Sequence, residues 1–522
     1  MSVHAYAMMA LYGVLRSGNG MKGRDQMTAE QVEQVEHFDV VIVGAGISGI
    51  AAAYYLQKRC PAKTYVILEG RGAIGGTWDL FRYPGVRSDS DMYTLGYSFR
   101  PWRDEQSIAE GPAILKYIRE TASEYGIDQH IRFGRQVRRA AWSSADATWT
   151  VEAEVGAGTG RDAEIVRFTG SFLFLCSGYY DYTQGYTPSW PGVERFSGRI
   201  VHPQQWPDDL DVEGKRIIVI GSGATAVTLV PALAERAAHV TMLQRSPTYI
   251  VARPSHDAIA QWLRKRLPDA LANRATRWKS VLFGMYFYNY ARRRPDATKQ
   301  LILRMARAQL GPDYDVEQHF SPRYNPWDQR LCLAPDADLF AAMRRGTASI
   351  VTDHIERFTE TGILLRSGDA LAADIIVTAT GLIMKVMSGM RLVVDGVLVD
   401  VAKTMTYKGM MYSDIPNLAS AMGYTNASWT LKCELTAAYV CRLLNYMERR
   451  GYTQCTPRNH DPSVTEEPLL SFTSGYVRRA LDTLPHQGSR RPWKLYQNYA
   501  LDLMSLRFGT VNDGAMEFAR HR

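Results

Sequence analysis

Cysteine is scarce in this chain, which has six cysteines among 522 residues and no C-x-x-C pair. That spacing argues against a disulfide framework, a cysteine zinc site and a dithiol redox centre, because each of these needs cysteines in pairs or clusters. No metal site is expected. Cysteines that stay unpaired are typical of a reducing compartment, so we expect a cytoplasmic protein.

Long apolar runs are also absent, and none approaches the roughly 18 consecutive apolar residues of a transmembrane helix. The mildly apolar stretch 5–15 lacks a basic flank, so no signal peptide is predicted. We expect residues 1–36 to be a disordered extension, with Met21 and Met27 as alternative starts. A content of 46% hydrophobic and 22% charged residues predicts a soluble globular protein, long enough for two or three domains.

Acidic residues are scarce between residues 255 and 310, where twelve Lys or Arg stand against three Asp. The chain as a whole has a net charge of +8, so this segment accounts for the excess. It also contains Trp262, Trp278 and an aromatic run over 283–290. We favour a solvated helical face or a lining that attracts an anionic cofactor. Peripheral contact with the inner face of the cell membrane is the second interpretation, and nucleic acid binding is not expected.

A glycine-rich turn follows the first predicted strand, residues 37–43, which is short, β-branched and uninterrupted, like a buried parallel strand. The turn reads Gly44-Ala45-Gly46-Ile47-Ser48-Gly49 and leads into a predicted helix. Glu69 ends the next predicted strand about 20 residues further on. This combination is typical of dinucleotide binding, with the pyrophosphate at the helix N-terminus and the ribose hydroxyls on the acid.

A second glycine turn, Gly221-Ser222-Gly223-Ala224-Thr225-Ala226, follows the predicted strand 215–220. The next predicted strand ends in Arg245-Ser246 instead of an acid. A carboxylate there would accept the 2′-hydroxyl of NADH, whereas a guanidinium binds the 2′-phosphate of NADPH. The sequence therefore predicts a preference for NADPH.

Two longer motifs accompany the glycine turns. Residues 196–207 match F-x-G-x-x-x-H-x-x-x-W-P, and residues 75–89 match G-G-x-W-x-x-x-x-Y-P-G-x-x-x-D. With the segments 324–331 and 423–430, they resemble the type I Baeyer–Villiger monooxygenases, and the resemblance extends over residues 37–514.

The resemblance implies bound FAD, NADPH as hydride donor and O₂ as oxidant. In that chemistry a C4a-peroxyflavin attacks a ketone, and rearrangement gives an ester or lactone. By position, Arg330 matches the family's active-site arginine and Asp89 its carboxylate partner. A guanidinium stabilises developing negative charge without supplying a proton. If the oxygenating species is protonated, sulfur oxidation of thioethers or thioamides becomes a second activity, so the expected substrate is a small ketone or sulfur compound.

The turns and the resemblance together assign the cofactor contacts. The expected FAD contacts are Gly44, Gly46, Ser48, Gly49, Glu69, Gly76, Thr77, Trp78, Asp89 and Tyr93. The expected NADPH contacts are Gly221, Ser222, Gly223, Ala224, Thr225, Arg245, Ser246 and Gln329. Relatives usually have Lys at the position of Gln329, which weakens the predicted NADPH preference without reversing it. The interface between domains, not the chemistry, is the role expected for Phe196, Gly198, His202 and Trp206.

We therefore predict an α/β protein with two Rossmann-like dinucleotide-binding domains and a helical insertion. The FAD domain is expected over 37–180 and 384–522, and the NADPH domain over 181–251 and 328–383. A basic helical insert is expected over 252–327.

Three alternatives stay open to different degrees. A heteroatom-oxidising flavin monooxygenase without Baeyer–Villiger activity is disfavoured, because its motif lacks Trp206-Pro207. A pyridine-nucleotide disulfide reductase would need paired active-site cysteines, which this chain lacks. A flavin-binding protein at the membrane surface, without turnover, would consume no NADPH. The motifs specify a reaction class; they do not specify one substrate or an oligomeric state.

Overall fold

Parallel strands form the centre of both large sheets of this protein. The structure is a computed structural model that describes residues 35–156, 164–470 and 472–521. Most of the expected N-terminal extension, up to residue 34, lies outside the described residues. Glu36, which the sequence assigned to that extension, already belongs to the first strand.

The strands are numbered in chain order: β1 (Glu36–Val43), β2 (Tyr65–Leu68), β3 (Ile131–Arg132), β4 (Arg135–Ser143), β5 (Thr148–Val155), β6 (Glu164–Leu175), β7 (Tyr180–Gly185), β8 (Arg199–Val201), β9 (Arg216–Ile220), β10 (His239–Gln244), β11 (Ile250–Arg253), β12 (Cys332–Pro335), β13 (Ala348–Thr352), β14 (Ile355–Thr359), β15 (Gly362–Leu365), β16 (Ala370–Ala372), β17 (Ile375–Thr378), β18 (Leu382–Met384), β19 (Arg391–Val394), β20 (Val397–Leu398), β21 (Thr406–Tyr407), β22 (Met411–Tyr412), β23 (Leu418–Ser420), β24 (Gln454–Pro457), β25 (Glu466–Pro468), β26 (His486–Gly488) and β27 (Met516–Ala519).

The helices are α1 (Ile47–Arg59), α2 (Thr77–Leu80), α3 (Met92–Leu95), α4 (Gly111–Glu124), α5 (Ala224–Leu233), α6 (Ala258–Arg266), α7 (Asp269–Arg293), α8 (Pro295–Leu310), α9 (Val316–Phe320), α10 (Asp338–Arg344), α11 (Trp429–Arg450), α12 (Gly475–Ala480) and α13 (Tyr499–Leu503). None of the helices in the described ranges is long and apolar enough to cross a membrane.

The first large sheet has the strand order β20-β19-β4-β5-β6-β1-β2-β3, and β23 also pairs with β6. β1 is parallel to β2 and to β6, and β23 is parallel to the end of β6. The first half of β6 instead pairs antiparallel with β5, which adds a meander to the parallel part. The parallel order β3-β2-β1-β6-β23 reverses direction between β1 and β6, as in a Rossmann-like sheet.

The second large sheet has the order β13-β10-β9-β17-β8, and its pairings are all parallel. Here the order reverses between β9 and β17. Two Rossmann-like units are therefore present, which confirms the predicted α/β class. A small antiparallel sheet, β14-β15-β16, lies between β13 and β17 along the chain.

Both sheets are covered on two faces, which explains why their central strands are apolar throughout. In β1, Val40 and Ile42 belong to one buried cluster, and Val41 and Val43 to another. The same alternation divides Ile217 and Val219 from Ile218 and Ile220 in β9. Successive side chains of a strand point to opposite faces, so a strand buried on both sides has no polar position.

The segment between β11 and β12 is helical, as expected for the insert, and contains α6 to α9. α8 and α9 contribute Leu303, Ala306 and Phe320 to the core of the second sheet. β7 and β18 form an antiparallel pair where the chain crosses between the two large sheets in both directions. The expected boundaries near residues 180 and 384 fall at this pair; the domain ranges themselves stay predictions.

Candidate active site

The first glycine turn connects β1 to α1 in a backbone geometry that needs glycine. Gly44 has a φ of +103°, a backbone conformation that is strained for any residue with a side chain. A Cβ on Gly44 would lie 2.7 Å from the carbonyl oxygen of Cys176, and one on Gly49 only 1.9 Å from that of Gly44. These two glycines let α1 pack tightly against the ends of β1 and β6. Gly46 leaves the N-terminus of α1 open to the space beyond the turn.

That space is a cavity of about 570 Å³ at the carboxyl ends of β1, β2 and β6. The reversal of strand order makes this edge the usual ligand site of a Rossmann-like sheet, and the volume suits a cofactor. The predicted FAD contacts that line it are Gly44, Gly46, Ser48, Glu69, Gly76, Thr77 and Trp78. The structure thus brings together residues from two separate sequence motifs.

Glu69 is a buried carboxylate in the wall of this cavity. Its Oε2 accepts a hydrogen bond from the Ala45 amide at 2.8 Å, and its Oε1 accepts one from the Arg71 amide at 2.8 Å. Burial raises its pKa, although both amides and the Arg71 guanidinium oppose the shift. An ionised carboxylate has about four acceptor positions, so it can still accept hydroxyl groups from a ligand.

An aromatic wall closes the other end of the cavity, and sequence reasoning did not single it out. Tyr179 stacks on Trp429 with ring centroids 5.0 Å apart, and the hydroxyls of Tyr179 and Tyr180 are 2.8 Å apart. The Trp429 indole donates a hydrogen bond to the Ser48 hydroxyl at 2.8 Å. Tyr182 places its hydroxyl 3.2 Å from that of Thr77. The run of tyrosines after β6 was the available signal.

Arg330 and Asp89 form an ion pair, with the Arg330 Nε 3.4 Å from the Asp89 Oδ2. The Arg330 Nη1 also donates a hydrogen bond to the Thr425 carbonyl at 3.2 Å. Burial lowers the pKa of Arg330, but Asp89 and the hydroxyls of Tyr476, Tyr179 and Tyr180 outweigh it, so the pKa is raised. The guanidinium is therefore permanently charged, as the sequence predicted for arginine.

The ion pair lies between the two glycine turns. On one side, Arg330 interacts with Tyr179 and Tyr180, which line the first cavity. On the other side, the Cys332 thiol, two residues along the chain, donates a long hydrogen bond of 3.9 Å to the carbonyl of Ser222 in the second turn. The segment of the ion pair is therefore linked to residues of the first cavity on one side and, through Cys332, to the second turn on the other.

The second glycine turn repeats the construction of the first. Gly221 has a φ of +139°, and a Cβ there would lie 2.3 Å from the Ala379 carbonyl oxygen. Gly223 has open space where its side chain would be, and Ala224 begins α5. The Ser222 hydroxyl donates to the Ser246 carbonyl at 3.0 Å, which ties the turn to the end of β10.

The remaining predicted NADPH residues differ in their surroundings. Arg245 and Ser246 are exposed, and Arg245 forms no ion pair with any described residue. Thr225 contacts the buried Tyr83 hydroxyl. Gln329 is half-buried and pairs with Pro326 in an isolated β-bridge, next to Arg330.

The segment 75–89 connects the first cavity to the second sheet. Tyr83 and Val86 belong to the core of the second sheet, and Gly85 packs against Thr228 of α5. Arg87 forms an ion pair with Asp338 of α10. The segment therefore begins in the cavity wall, and the residues just before Asp89 are anchored to the second Rossmann-like unit.

Three of the predicted FAD contacts do not line the cavity: Gly49, Asp89 and Tyr93. Gly49 packs α1 onto the strand, and Asp89 pairs with Arg330. Tyr93 lies in α3 with the Arg264 guanidinium of the insert 5.3 Å from its ring centroid. Its contact with FAD stays a prediction.

The motif over 196–207 lies where the chain crosses between the sheets. Phe196 is buried against β9, and Gly198 has no room for a side chain, since a Cβ would lie 2.4 Å from the Asp374 carbonyl oxygen. The His202 ring packs on Gly185 of β7, and burial lowers its pKa, opposed by a contact with the Gly381 backbone. Trp206 packs on the core of the second sheet. None of these contacts involves Arg330 or Asp89.

Comparison with solved structures finds the same fold in other proteins. A steroid monooxygenase in its oxidised form bound to NADP superposes with a TM-score of 0.70 at 23% identity, over 93% of this chain and 100% of that chain. The likeness establishes the fold: two dinucleotide-binding units in one chain.

The family follows from sequence comparison. Residues 38–275 match the family model described as flavin-binding monooxygenase-like. The chain is 54% identical to the FAD-containing monooxygenase EthA of Mycolicibacterium smegmatis over 93% of this chain and 98% of that protein. It is 55% identical to EthA of Mycobacterium tuberculosis, with the same coverage of 93% and 98%. The chain belongs to the flavin-binding monooxygenase-like family, and it is a flavin-dependent monooxygenase, as predicted.

Proposed function

We propose that this enzyme is a Baeyer–Villiger monooxygenase that inserts one oxygen atom of O₂ next to a ketone carbonyl and consumes NADPH. The overall balance is ketone, O₂, NADPH and a proton giving an ester or lactone, NADP⁺ and water. The observation that carries the proposal is the Arg330–Asp89 ion pair between the two glycine turns.

FAD and NADPH are the cofactors, in keeping with the FAD-containing relatives and the NADP-bound structure. The cavity beyond the first turn suits FAD, because its glycines leave the helix N-terminus open to a pyrophosphate and Glu69 can accept ribose hydroxyls. When bound and reduced by NADPH, FAD activates O₂ for transfer to the substrate. Tyr179 and Trp429 offer ring faces beside the flavin end of that cavity.

NADPH is assigned to the second turn, with its pyrophosphate at the N-terminus of α5. Gly223 leaves open space for the approach of the phosphates. Arg245 is exposed and without an ion-pair partner in the described ranges, so its charge is available to the 2′-phosphate.

Arg330 acts on the charge that develops during oxygen transfer. Its guanidinium stabilises the negative charge that forms on the substrate's carbonyl oxygen when oxygen adds to the carbonyl carbon. Asp89 and the Thr425 carbonyl hold the guanidinium in one orientation through two of its nitrogens. Because Arg330 keeps its proton, it does not quench the nucleophile.

Oxygen transfer to the sulfur of a thioether or thioamide is a second activity that the same site supports. Burial raises the pKa values of Tyr179 and Tyr180, although a hydrogen bond between the two lowers that of Tyr179. Both hydroxyls therefore remain protonated at neutral pH, and the one that does not donate to its neighbour can donate a hydrogen bond to the transferred oxygen.

The test is NADPH oxidation by the FAD-loaded enzyme with a panel of aliphatic, cyclic and aromatic ketones and one thioether. Products are identified by mass spectrometry in the presence of labelled O₂. We expect esters or lactones that carry one labelled oxygen. Sulfoxide without any ester across the panel would make heteroatom oxidation the function and overturn the Baeyer–Villiger assignment.

A further inference from the structure

The basic helical insert carries an unusual concentration of exposed apolar side chains. Ten of the eighteen large apolar side chains that are exposed in the described ranges lie between Ile259 and Leu301. The six most exposed members are Ile259, Trp262, Leu271, Leu282, Phe283 and Tyr286. Single exposed apolar residues are ordinary, whereas a cluster of this size indicates contact with a partner.

Helix α7 shows that the exposure is systematic. Its buried positions are mostly small, with Ala272, Thr276, Ser280 and Ala291 facing the protein. At about 100° per residue, Leu271, Trp278, Leu282 and Tyr286 fall within about a quarter of the helix circumference. The helix therefore buries small residues and exposes large ones, the reverse of a surface helix that packs only on its own protein.

Uncompensated positive charge surrounds the same face. Among the described residues, six exposed cations of the insert have no carboxylate partner: Lys265, Arg266, Arg274, Arg293, Arg294 and Arg304. By the same periodicity, Arg274 falls beside the apolar stripe of α7, and Arg293 falls in line with it at the end of the helix. The other cations differ, since Arg277 pairs with Glu434 and Lys279 with Asp257 in the interior.

We propose that this face, which we call the insert surface (exposed side chains of α6 and α7 from Ile259 to Arg293), docks on an anionic lipid membrane. Apolar side chains enter the headgroup boundary while Lys and Arg attract acidic headgroups, the combination used by interfacial amphipathic helices. A second copy of the chain fits less well, because a two-fold interface would bring the same unpaired cations towards each other.

The experiment uses the FAD-loaded full chain with vesicles of phosphatidylcholine alone and vesicles that contain about a third phosphatidylglycerol. We expect cosedimentation with the anionic vesicles, at least about tenfold stronger than with the neutral ones and weakened by salt. The variant Leu282→Ser/Phe283→Ser should lower binding by about tenfold. The matched control, Leu398→Ser/Phe508→Ser, removes equally exposed side chains elsewhere and should bind like the wild type.

Two results would overturn the proposal. One is a failure of the vesicle test. This would be absent binding, equal binding to both vesicle types, or an equal loss of binding in Leu282→Ser/Phe283→Ser and its control Leu398→Ser/Phe508→Ser. The other is a dimer in lipid-free sedimentation velocity that Leu282→Ser/Phe283→Ser converts to a monomer, which would identify the face as a self-association surface. Arg274→Glu/Arg293→Glu leaves the apolar side chains in place and should abolish the preference for anionic vesicles, so the result does not depend on one variant's folding.

Discussion

Arg330 keeps its charge in surroundings that would otherwise disfavour it. Desolvation acts to lower its pKa, and the nearby Asp89 carboxylate opposes that effect. The ion pair therefore keeps the guanidinium charged at a site where an isolated arginine would be less stable in its charged form. A lysine in the same place would be easier to deprotonate and could not hold Asp89 and the Thr425 carbonyl with a planar fork. The choice of residue type therefore follows from both charge and geometry.

Arg330→Ala should leave the reduction of flavin by NADPH close to the wild-type rate and lower ester formation by at least about a hundredfold. The reason is that the guanidinium stabilises charge only during oxygen transfer. Stopped-flow absorbance gives the reduction rate, and chromatography of the product gives the ester yield. Arg216→Ala, which breaks a surface ion pair with Asp374, is the control. A normal ester yield from Arg330→Ala would contradict the assigned role.

Arg245→Ala should raise the KM for NADPH about tenfold or more and leave the KM for NADH nearly unchanged, because only NADPH has a 2′-phosphate. Steady-state kinetics with both nucleotides measures the difference. Arg236→Ala serves as the control, since Arg236 is an exposed arginine of the same unit that pairs with Glu213. Equal losses with both nucleotides would mean that Arg245 does not contact the 2′-phosphate.

At the scale of elements, Gln497 in the C-terminal region supports the loop that contacts Arg330. The Gln497 Oε1 accepts hydrogen bonds from the Thr425 amide at 3.0 Å and the Thr425 hydroxyl at 3.3 Å. The Asn426 side chain donates to the Gln497 carbonyl at 2.9 Å. Gln497 has a φ of +47°, a backbone conformation that residues other than glycine rarely adopt. The loop that presents the Thr425 carbonyl to Arg330 is thus fixed by a residue distant in sequence.

Gln497→Ala should lower the rate of oxygen transfer by about tenfold without changing flavin reduction, because it frees the Thr425 loop and loosens Arg330. Gln497→Glu keeps the acceptor oxygen and should restore most of the rate. Gln487→Ala removes a comparable bond to the Leu495 amide away from Arg330 and should affect stability only. A loss shared equally by Gln497→Ala and Gln497→Glu, or by reduction and oxygen transfer, would show that Gln497 has no positioning role.

The sequence predicted the elements whose local pattern of residue types reflects their surroundings in the fold. β1 and β9 are apolar throughout because both faces are buried, and each leads into a glycine turn whose positive φ requires glycine. For the wall formed by Tyr179, Tyr180 and Trp429, the local signal is only the run of tyrosines after β6, which does not point to Trp429. Tyr179 and Trp429 are 250 positions apart in the chain, so their stacking depends on how β6 and α11 meet.

At the scale of the whole molecule, the proposed function assigns one nucleotide to each of the two Rossmann-like units. Gly46 and Gly223 occupy the same place in the two turns, each preceding a helix with extended backbone, φ −81° and −79°. Neither position needs glycine for its φ, so a larger side chain would fill the ligand space without straining the backbone. They form a natural pair of variants.

Gly46→Val should abolish FAD binding and give a colourless protein, because its side chain enters the first cavity. Gly223→Val should keep FAD and its yellow colour but lose reduction by NADPH, while chemical reduction by dithionite still proceeds. Absorbance spectra and anaerobic reduction measure both effects. The assignment of the two turns would be wrong if Gly223→Val lost FAD, or if Gly46→Val retained it with full activity.

By itself, the amino-acid sequence determined the fold class, the two dinucleotide turns and the identity of the charged pair. These depend on strand periodicity, on glycine at positive φ and on residue types that the chemistry requires, all of which are local. Tertiary structure alone decided that Gln497 braces Thr425, that Tyr179 stacks on Trp429 and that α7 presents its large side chains outward. Each of these depends on distant segments packing together, and burial and contact across such distances are not encoded in any short stretch of chain.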